Sequence, residues 1–94
     1  MQRNYRTPFG ELDLIAENGN VTHFIEVKTR TGVEFGLPEE AVTKAKRAHL
    51  LAAIQVYWMN SALPEGDWQI DVIAVLRRAV ERDVQIEYFE NAIH

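Results

Sequence analysis

Residues 10–29 read GELDLIAENGNVTHFIEVKT, two runs of strand-like composition on either side of a turn sequence. Residues 10–17 and 21–29 are rich in apolar, β-branched and aromatic side chains, which favour strands. Asn18-Gly19-Asn20 lies between them, and Asn-Gly is the strongest two-residue signal for a β-hairpin. This stretch therefore predicts an antiparallel pair of strands.

The predicted hairpin brings charged side chains together. Strand side chains alternate, so Glu26 and Lys28 should share one face of the second strand. If the chain turns at residues 18–20, Asp13 on the first strand lies near Glu26. The same alternation predicts two faces for the first strand, one with Glu11, Asp13 and Ile15 and the other with Leu12 and Leu14.

A long helix is predicted after the hairpin. Thr43 fits the N-cap position of a helix that runs to about Asn60. Apolar side chains recur at the spacing of one helix face and should form a buried stripe. That stripe consists of Leu50, Ala53, Ile54 and Tyr57.

Three further strands are predicted, at residues 3–6, 68–76 and 84–89. The strand at 68–76 is apolar on both faces, so it should be central and covered on both sides. Loop, turn and polar residues occupy 31–38, 64–67 and 77–83. The order of elements predicts one α/β domain over residues 1–94, a mixed sheet with one long helix packed on it.

Composition excludes several classes of protein. Because the 94 residues include no cysteine, disulfides, thiolate zinc sites and cysteine nucleophiles are excluded. No apolar run approaches the roughly 20 residues of a membrane span, and residues 1–6 do not form a secretory signal. We therefore expect a cytoplasmic protein without membrane association.

The net charge of −4 is unevenly distributed along the chain. Through Leu50 there are seven basic and seven acidic residues, whereas from Glu65 onward seven acids face three arginines. A protein that binds nucleic acid usually presents a basic face. Any contact with a polyanion should therefore come from the first half.

Asp13, Glu26 and Lys28 are the candidate catalytic residues. Two nearby carboxylates repel each other and raise each other's pKa, a conflict that a divalent cation removes. Oxygen ligands suit Mg²⁺ or Mn²⁺, so Asp13 and Glu26 are the candidate metal ligands. The chemistry indicated is attack of a metal-activated water on a phosphodiester, with Lys28 stabilising negative charge.

A simpler interpretation of the Glu-x-Lys pair stays open. Such pairs are common on strands and usually form a solvated salt bridge worth under about 1 kcal/mol. Short motifs alone are weak indicators of function. Asp13 adds weight to the catalytic hypothesis, since strands disfavour aspartate.

A resemblance to a known family covers nearly the whole chain. The segments that carry it, in order, are GELDLIA (10–16), FIEVKTR (24–30), FG (35–36), PEEAVT (38–43), Lys46 and IDVIAV (70–75). Together they resemble the YraN-like family of predicted endonucleases. The resemblance implies the restriction-endonuclease-like fold of the PD-(D/E)xK superfamily, which also contains archaeal Holliday junction resolvases.

The resemblance also implies roles for individual residues. Asp13 fills the superfamily's Asp position, Glu26 its (D/E) position and Lys28 its Lys position. Leu12 precedes Asp13 where the motif's name has proline, a variation that is frequent in the superfamily.

The start of the chain departs from the family pattern. Family members usually carry an N-terminal helix with an acidic residue before the strand at 3–6. Because the sequence begins just before this strand, we expect that helix to be missing. We expect the metal site to lack that acidic residue. We also expect an apolar sheet face without its cover, and a second copy of the chain to cover it in a homodimer.

Four residues are candidates for supporting roles in binding nucleic acid or metal. Lys46 could contact phosphate, or it could be a helix-end lysine with its head in water. Thr29 and Arg30 could also meet phosphate. Glu11 could assist the metal, or it could pair with Arg30 or Lys28.

Asp71 lies in an otherwise apolar strand and must find a partner. A structural hydrogen bond or salt bridge is the first hypothesis for it, and support of the metal site is the second. His23 and His49 are expected to be surface or partly packed residues. Trp58 and Trp68 are expected to serve packing.

Three functions are consistent with these features. The first is Mg²⁺- or Mn²⁺-dependent DNA cleavage, with branched or damaged DNA as candidate substrates. The second is a catalytically inactive nucleic-acid-binding module of the same fold. The third, favoured by the acidic last third, is a protein-interaction subunit of a DNA-processing assembly.

Overall fold

The computed structural model describes residues 1–31, 43–60, 66–77 and 84–93. The elements in chain order are β1 (Gln2–Thr7), β2 (Gly10–Asn18), β3 (Val21–Thr31), α1 (Lys44–Asn60), β4 (Asp67–Arg77) and β5 (Val84–Ile93). The predictions at 32–38, 64–65 and 78–83, and the family residues at 35–42, lie outside the described residues.

The strands form one five-stranded sheet in the order β1-β2-β3-β4-β5. β3 and β4 are parallel, and the other three neighbouring pairs are antiparallel. With α1 packed on one face, the described residues form the predicted α/β mixed sheet with one long helix. This architecture is compatible with the restriction-endonuclease-like fold. Within the same described ranges, no helix is long and apolar enough to cross a membrane.

The central hairpin forms as predicted. β2 and β3 pair from Asn18↔Val21 to Leu14↔Ile25, so the two turn residues are Gly19 and Asn20. Gly19 has a φ of 62°, and a positive φ at the first turn residue alone is the type II′ pattern. The carbonyl of Asn20 also accepts a hydrogen bond from the Asp67 backbone N–H at 3.0 Å, which sets the start of β4 beside β3.

The helix begins at the predicted cap. The Lys46 backbone N–H donates to Thr43 Oγ1 at 3.1 Å, so the threonine side chain satisfies one of the unpaired donors of the first turn. Of the predicted apolar stripe, Ala53 and Ile54 are buried. Leu50 and Tyr57 pack against the same core. The predicted stripe is therefore confirmed.

Side chains of β2 do not alternate as predicted. Leu12 and Ile15 are three residues apart, yet both are buried in the same core cluster. The prediction that they lie on opposite faces is therefore wrong. Asn4, opposite residue 13 in the β1–β2 ladder, has a left-handed φ of 57°, which interrupts the regular pleat. Tyr5 then faces the helix, with its ring centroid 5.1 Å from that of Tyr57.

β4 is an internal strand, as predicted, but the described residues cover its two faces unequally. Ile70 and Val72 are buried in the core with the α1 residues. On the opposite face three side chains of β5 are more than half exposed, at 51%, 66% and 51%. These are Val84, Ile86 and Tyr88, the ladder partners of Arg77, Val75 and Ile73.

β5 extends beyond its predicted end at residue 89, to Ile93. The β4–β5 register shifts between Ile70 and Val72, and Asn91 adopts a left-handed φ of 51°. After this irregularity the chain resumes pairing, and Ala92 and Ile93 enter the core. The alternation of side chains in the sequence stops at this irregularity. The strand end predicted from that alternation is therefore too early.

Candidate functional site

Asp13 lies where β2 and β3 begin to part. Their ladder includes Leu14↔Ile25, so the next position along places Asp13 opposite Glu26. Asp13 Oδ2 accepts a hydrogen bond from the Val27 backbone N–H at 2.9 Å. The carboxylate thus takes the place of a ladder carbonyl and is held beside β3. The predicted approach of Asp13 to Glu26 is confirmed.

Glu26 and Lys28 form an ion pair that is largely withdrawn from water. Lys28 Nζ lies 3.2 Å from Glu26 Oε1, and the two side chains are 9% and 18% exposed. A solvated surface pair would show much higher exposure. The simpler interpretation of the Glu-x-Lys pair therefore does not describe this geometry, since charges this shielded require a partner.

The pKa of Glu26 is raised above its usual value. Burial of the carboxyl is the largest cause, and the negative charge of Asp13 adds to it. The positive charges of Lys28 and Lys46 act in the opposite direction without cancelling the effect. The Asp13 carboxylate is thus held close enough to disfavour the ionisation of Glu26, which is an electrostatic setting that a bound cation relieves.

The residues present fit a small oxygen-liganded cation. Asp13 uses Oδ2 for the Val27 N–H and Glu26 uses Oε1 for Lys28, so Asp13 Oδ1 and Glu26 Oε2 remain as ligands. Among the described residues, no group of three or more His, Asp or Glu side chains is arranged to hold a metal. Mg²⁺ commonly takes one or two carboxylates and completes its shell with water and substrate oxygens. A two-carboxylate Mg²⁺ site is therefore chemically consistent.

A cleft of about 260 Å³ opens beside Glu26, between the β1–β2 turn and α1. Glu11 and Phe9 line it from the turn side, and Lys46 and His49 line it from the helix. The structure therefore brings Lys46 to the candidate site, where its positive charge opposes the rise in the pKa of Glu26.

The other predicted contact residues are distributed differently. Thr29 is exposed at the far end of β3, and the side chain of Arg30 lies outside the described residues. Glu11 pairs with Arg6, with Arg6 Nε 3.6 Å from Glu11 Oε2. Glu11 therefore pairs with Arg6 and not with Lys28, because the β1–β2 register places Arg6 directly opposite Glu11. A pairing of Glu11 with Arg30 involves a side chain outside the described residues.

Asp71 has hydrogen-bond partners, as expected for a carboxylate in an otherwise apolar strand. It is fully buried, and four donors surround its carboxylate. Oδ1 accepts from the Gln69 side chain and the Asn91 backbone N–H, each at 2.8 Å. Oδ2 accepts from the Tyr88 hydroxyl and lies 2.7 Å from His23 Nδ1. Burial by itself would raise the pKa of Asp71, but these hydrogen bonds outweigh it and lower the pKa.

This cluster is separate from the candidate site. Asp71 is the ladder partner of Ile25, so it shares the face of Ile25 and His23, while Glu26 points to the other face. The first hypothesis for Asp71, a structural role, is confirmed. Sequence reasoning missed His23 and Tyr88 as its partners; the available signal was that His23 alternates with Ile25 along β3.

Phe9 and His49 are the cleft residues that sequence reasoning did not select. His49 follows Lys46 by three residues on α1, a spacing that places both on one helix face. That spacing was visible in the sequence. Nothing in the sequence placed Phe9 opposite the helix, since this follows from how the β1–β2 turn packs.

Comparison with known proteins identifies the family. The family described as "Uncharacterised protein family UPF0102" matches residues 1–75. A UPF0102 protein of Syntrophotalea carbinolica is 45% identical over 92 residues, which cover 98% of this chain and 73% of the relative. A UPF0102 protein of Alkaliphilus oremlandii is 40% identical over 91 residues, covering 95% and 76%. A UPF0102 protein of Pelotomaculum thermopropionicum is 38% identical over 92 residues, covering 98% and 77%. The chain therefore belongs to the UPF0102 family, the YraN-like family that its motifs resemble.

Proposed function

We propose that this chain is a Mg²⁺- or Mn²⁺-dependent DNA endonuclease of the PD-(D/E)xK superfamily. The observation that carries the proposal is the shielded Glu26–Lys28 ion pair, 3.2 Å apart, beside a second carboxylate, that of Asp13. Burial raises the pKa of Glu26, and the charge of Asp13 adds to this effect. Charged groups are costly to hold in such a setting. Functional sites are where such costs are concentrated.

Each residue has a role in this proposal. Asp13 and Glu26 would hold the cation with their carboxylate oxygens. When bound, Mg²⁺ or Mn²⁺ supplies Lewis-acid stabilisation of the phosphate and a lowered pKa for water. Lys28 keeps its ammonium beside Glu26 Oε1, where it faces the negative charge that develops on the phosphate. Lys46 contacts the DNA backbone and positions it.

Thr29 and Arg30 are proposed as further backbone contacts along β3. Such contacts orient the substrate without reading its sequence. Branched or damaged DNA is the proposed substrate class, as the family resemblance suggests. Asp71 is left out of the chemistry, because its partners lie on the other sheet face.

The test is a nuclease assay on linear, flapped and four-way DNA with Mg²⁺ or Mn²⁺. We expect Lys28→Gln to lower the cleavage rate by about 10²- to 10³-fold, the usual effect of removing one group that stabilises developing charge. Asp13→Asn should abolish metal-dependent cleavage. Glu17→Gln is the matched control, since Glu17 is exposed on β2. Cleavage unchanged in both site variants would overturn the proposal.

A catalytically inactive DNA-binding module is the second candidate. It is favoured by the finding that the described residues offer no group of three or more metal-binding side chains. This candidate predicts DNA binding with a steep salt dependence and no cleavage by the wild-type chain. If the chain is instead a protein-interaction subunit, we expect neither salt-dependent DNA binding nor DNA cleavage.

We also propose a homodimer. Val84, Ile86 and Tyr88 present an apolar surface on the sheet face opposite α1, and each is at least half exposed. A second copy of the chain would remove this surface from water.

A further inference from the structure

The cleft beside Glu26 has walls of two kinds. Phe9 and Leu50 supply apolar surface, while Lys46 and His49 supply polar groups from one face of α1. A concave site with an apolar wall and a few polar groups is typical of ligand binding. Because Glu26 is itself a lining residue, whatever enters the cleft lies next to the candidate phosphodiester site.

Phe9 is held at the mouth of this cleft by a braced turn. Its backbone N–H donates to Thr7 Oγ1 at 3.1 Å, and the Thr7 hydroxyl donates to the Gly10 carbonyl at 2.7 Å. The Phe9 side chain is half exposed despite its size, at 50%. An aromatic ring on a braced turn, open to solvent on one side, is a platform on which a planar group can stack.

We infer that the cleft binds one unpaired DNA nucleotide next to the scissile phosphodiester, with its base stacked on Phe9 and its phosphate against Lys46 and His49. The inference rests on the proposed function for the position of the scissile bond. The volume of about 260 Å³ is just below the roughly 300–1,000 Å³ of sites for drug-sized ligands. The cleft therefore has room for no more than one nucleotide, part of which would stay outside it, and it is too small for a base pair.

The charges around the cleft are compatible with a phosphate. Glu11 lines it as well, but Arg6 lies 3.6 Å from the Glu11 carboxylate and offsets its charge. On the helix side the positive charge of Lys46 is close enough to act on Glu26. Since every base has a stacking face, a platform of this kind is tolerant of sequence. The substrate class that follows is DNA with unpaired nucleotides, such as flaps and splayed ends.

The experiment uses the full chain and a short single-stranded DNA that carries one 2-aminopurine, whose fluorescence is quenched when it stacks on an aromatic ring. Binding is measured with EDTA and with Ca²⁺, and cleavage is measured separately with Mg²⁺. We expect quenching on binding, and an unlabelled blunt duplex should compete poorly. Phe9→Ala should remove the quenching and weaken binding by about 5- to 150-fold, corresponding to about 1–3 kcal/mol per stacked base.

Two variants serve as matched controls for Phe9→Ala. Phe9→Tyr keeps the ring and should keep both quenching and affinity. Met59→Ala removes an apolar side chain that is 77% exposed at the other end of α1, and it should change neither. Lys46→Gln should reduce the slope of log K against log salt by about 0.7, the value for one phosphate contact on a single strand. Circular dichroism shows whether each variant is folded.

The outcomes separate this inference from the proposed nuclease. If quenching depends on Phe9 but no cleavage is detected, nucleotide binding in the cleft would be supported. The proposed nuclease activity would then be overturned. If a folded Phe9→Ala variant still cleaves DNA, and its binding and quenching are unchanged, nucleotide binding in the cleft would be overturned. The proposed nuclease activity would be unaffected. A blunt duplex that competes as well as the single strand would also overturn the inference.

Discussion

The Lys28 ammonium lies 3.2 Å from Glu26 Oε1, and neither side chain is more than 18% exposed. The pair is two residues apart on β3, so both side chains project from the same face of the sheet. Asp13 approaches the same carboxylate from β2, and its charge adds to the effect of burial, which raises the pKa of Glu26. The Lys28 ammonium thus lies in a region with little water that holds two carboxylates. Its charge acts on Glu26 more strongly than that of Lys46 does, so the stability of this region depends chiefly on Lys28.

Removing the ammonium should destabilise the fold. Lys28→Met keeps the length of the side chain but leaves Asp13 and Glu26 without a shielded counter-charge. We expect a loss toward the lower end of the roughly 3–5 kcal/mol measured when one partner of a buried pair is removed. Urea unfolding in EDTA measures it. The double variant Lys28→Met/Glu26→Gln should recover most of the loss, and no recovery would contradict this account of the pair.

Neutralising Glu26 should stabilise the fold in the absence of metal, whereas removing the Lys28 ammonium should destabilise it. Because the pKa of Glu26 is raised in the folded state, its ionised form is disfavoured there, and this cost applies at neutral pH. Glu26→Gln should therefore raise the melting temperature in EDTA at pH 7. The gain should shrink as the pH falls toward the usual carboxyl value of 4.5, because the wild-type carboxyl then also becomes neutral.

Bound metal should reverse the order of stability of the wild-type chain and Glu26→Gln. A ligand that binds only the folded state stabilises it by about 2.7 kcal/mol at a concentration 100 times its Kd. We expect Mg²⁺ or Mn²⁺ to raise the melting temperature of the wild-type chain and of Glu17→Gln, but not of Asp13→Asn or Glu26→Gln. A metal-induced increase that survives in both site variants would place the cation elsewhere.

The sequence predicted the hairpin and the meeting of Asp13 with Glu26 because both depend on short-range rules. The segment Asn18-Gly19-Asn20 locates the turn and so brings Asp13 near Glu26. The exact register comes from the structure, in which Gly19 and Asn20 are the turn residues and residue 13 lies opposite residue 26. Fourteen positions separate Asp13 from Val27, whose N–H it binds, and all of them belong to one hairpin. Nothing from the rest of the fold is needed to bring these groups together.

What could not be predicted depends on distant contacts or on isolated backbone conformations. The left-handed Asn4, at a φ of 57°, interrupts the alternation that would have separated Leu12 from Ile15. The end of β5 depends on Asp71, twenty positions earlier, which binds the Asn91 N–H. The cleft also forms only when α1 packs over the β1–β2 turn. Periodicity within one segment carries no information about these partners.

Asp71 is expected to be a major contributor to stability. Asp71→Asn keeps an oxygen for Gln69 and Asn91 but puts an NH₂ group where Tyr88 and His23 approach Oδ2. Leaving buried polar groups without partners costs about 1–3 kcal/mol. We expect a loss of that size in urea unfolding at pH 7. Asp67→Asn is the control, since Asp67 is exposed on the same strand and should change stability by no more than about 0.5 kcal/mol.

The contribution of Asp71 should also depend on pH. Its pKa is lowered in the folded state from the usual 3.8. A carboxylate of this kind stabilises the fold fully above its unfolded pKa, and the stabilisation is lost as the pH falls through the lower, folded value. The difference in unfolding free energy between wild type and Asp71→Asn should therefore be constant from pH 7 to about 5 and shrink below pH 3.8. A difference that grew as the pH fell would contradict the assigned direction of the shift.

The apolar face of β5 should control assembly. Ile86 is 66% exposed and is flanked on its face by Val84 and Tyr88, each 51% exposed. If a second copy covers this surface, Ile86→Asp would bury an unpaired carboxylate at the contact, which is strongly unfavourable. We expect light scattering to give a dimer for the wild-type chain and a monomer for Ile86→Asp. Gln85→Asp, on the neighbouring position whose side chain points to the other face, adds the same charge and should remain a dimer. A wild-type chain that is monomeric throughout the micromolar range would overturn the homodimer, while leaving the Asp13–Glu26–Lys28 site untouched.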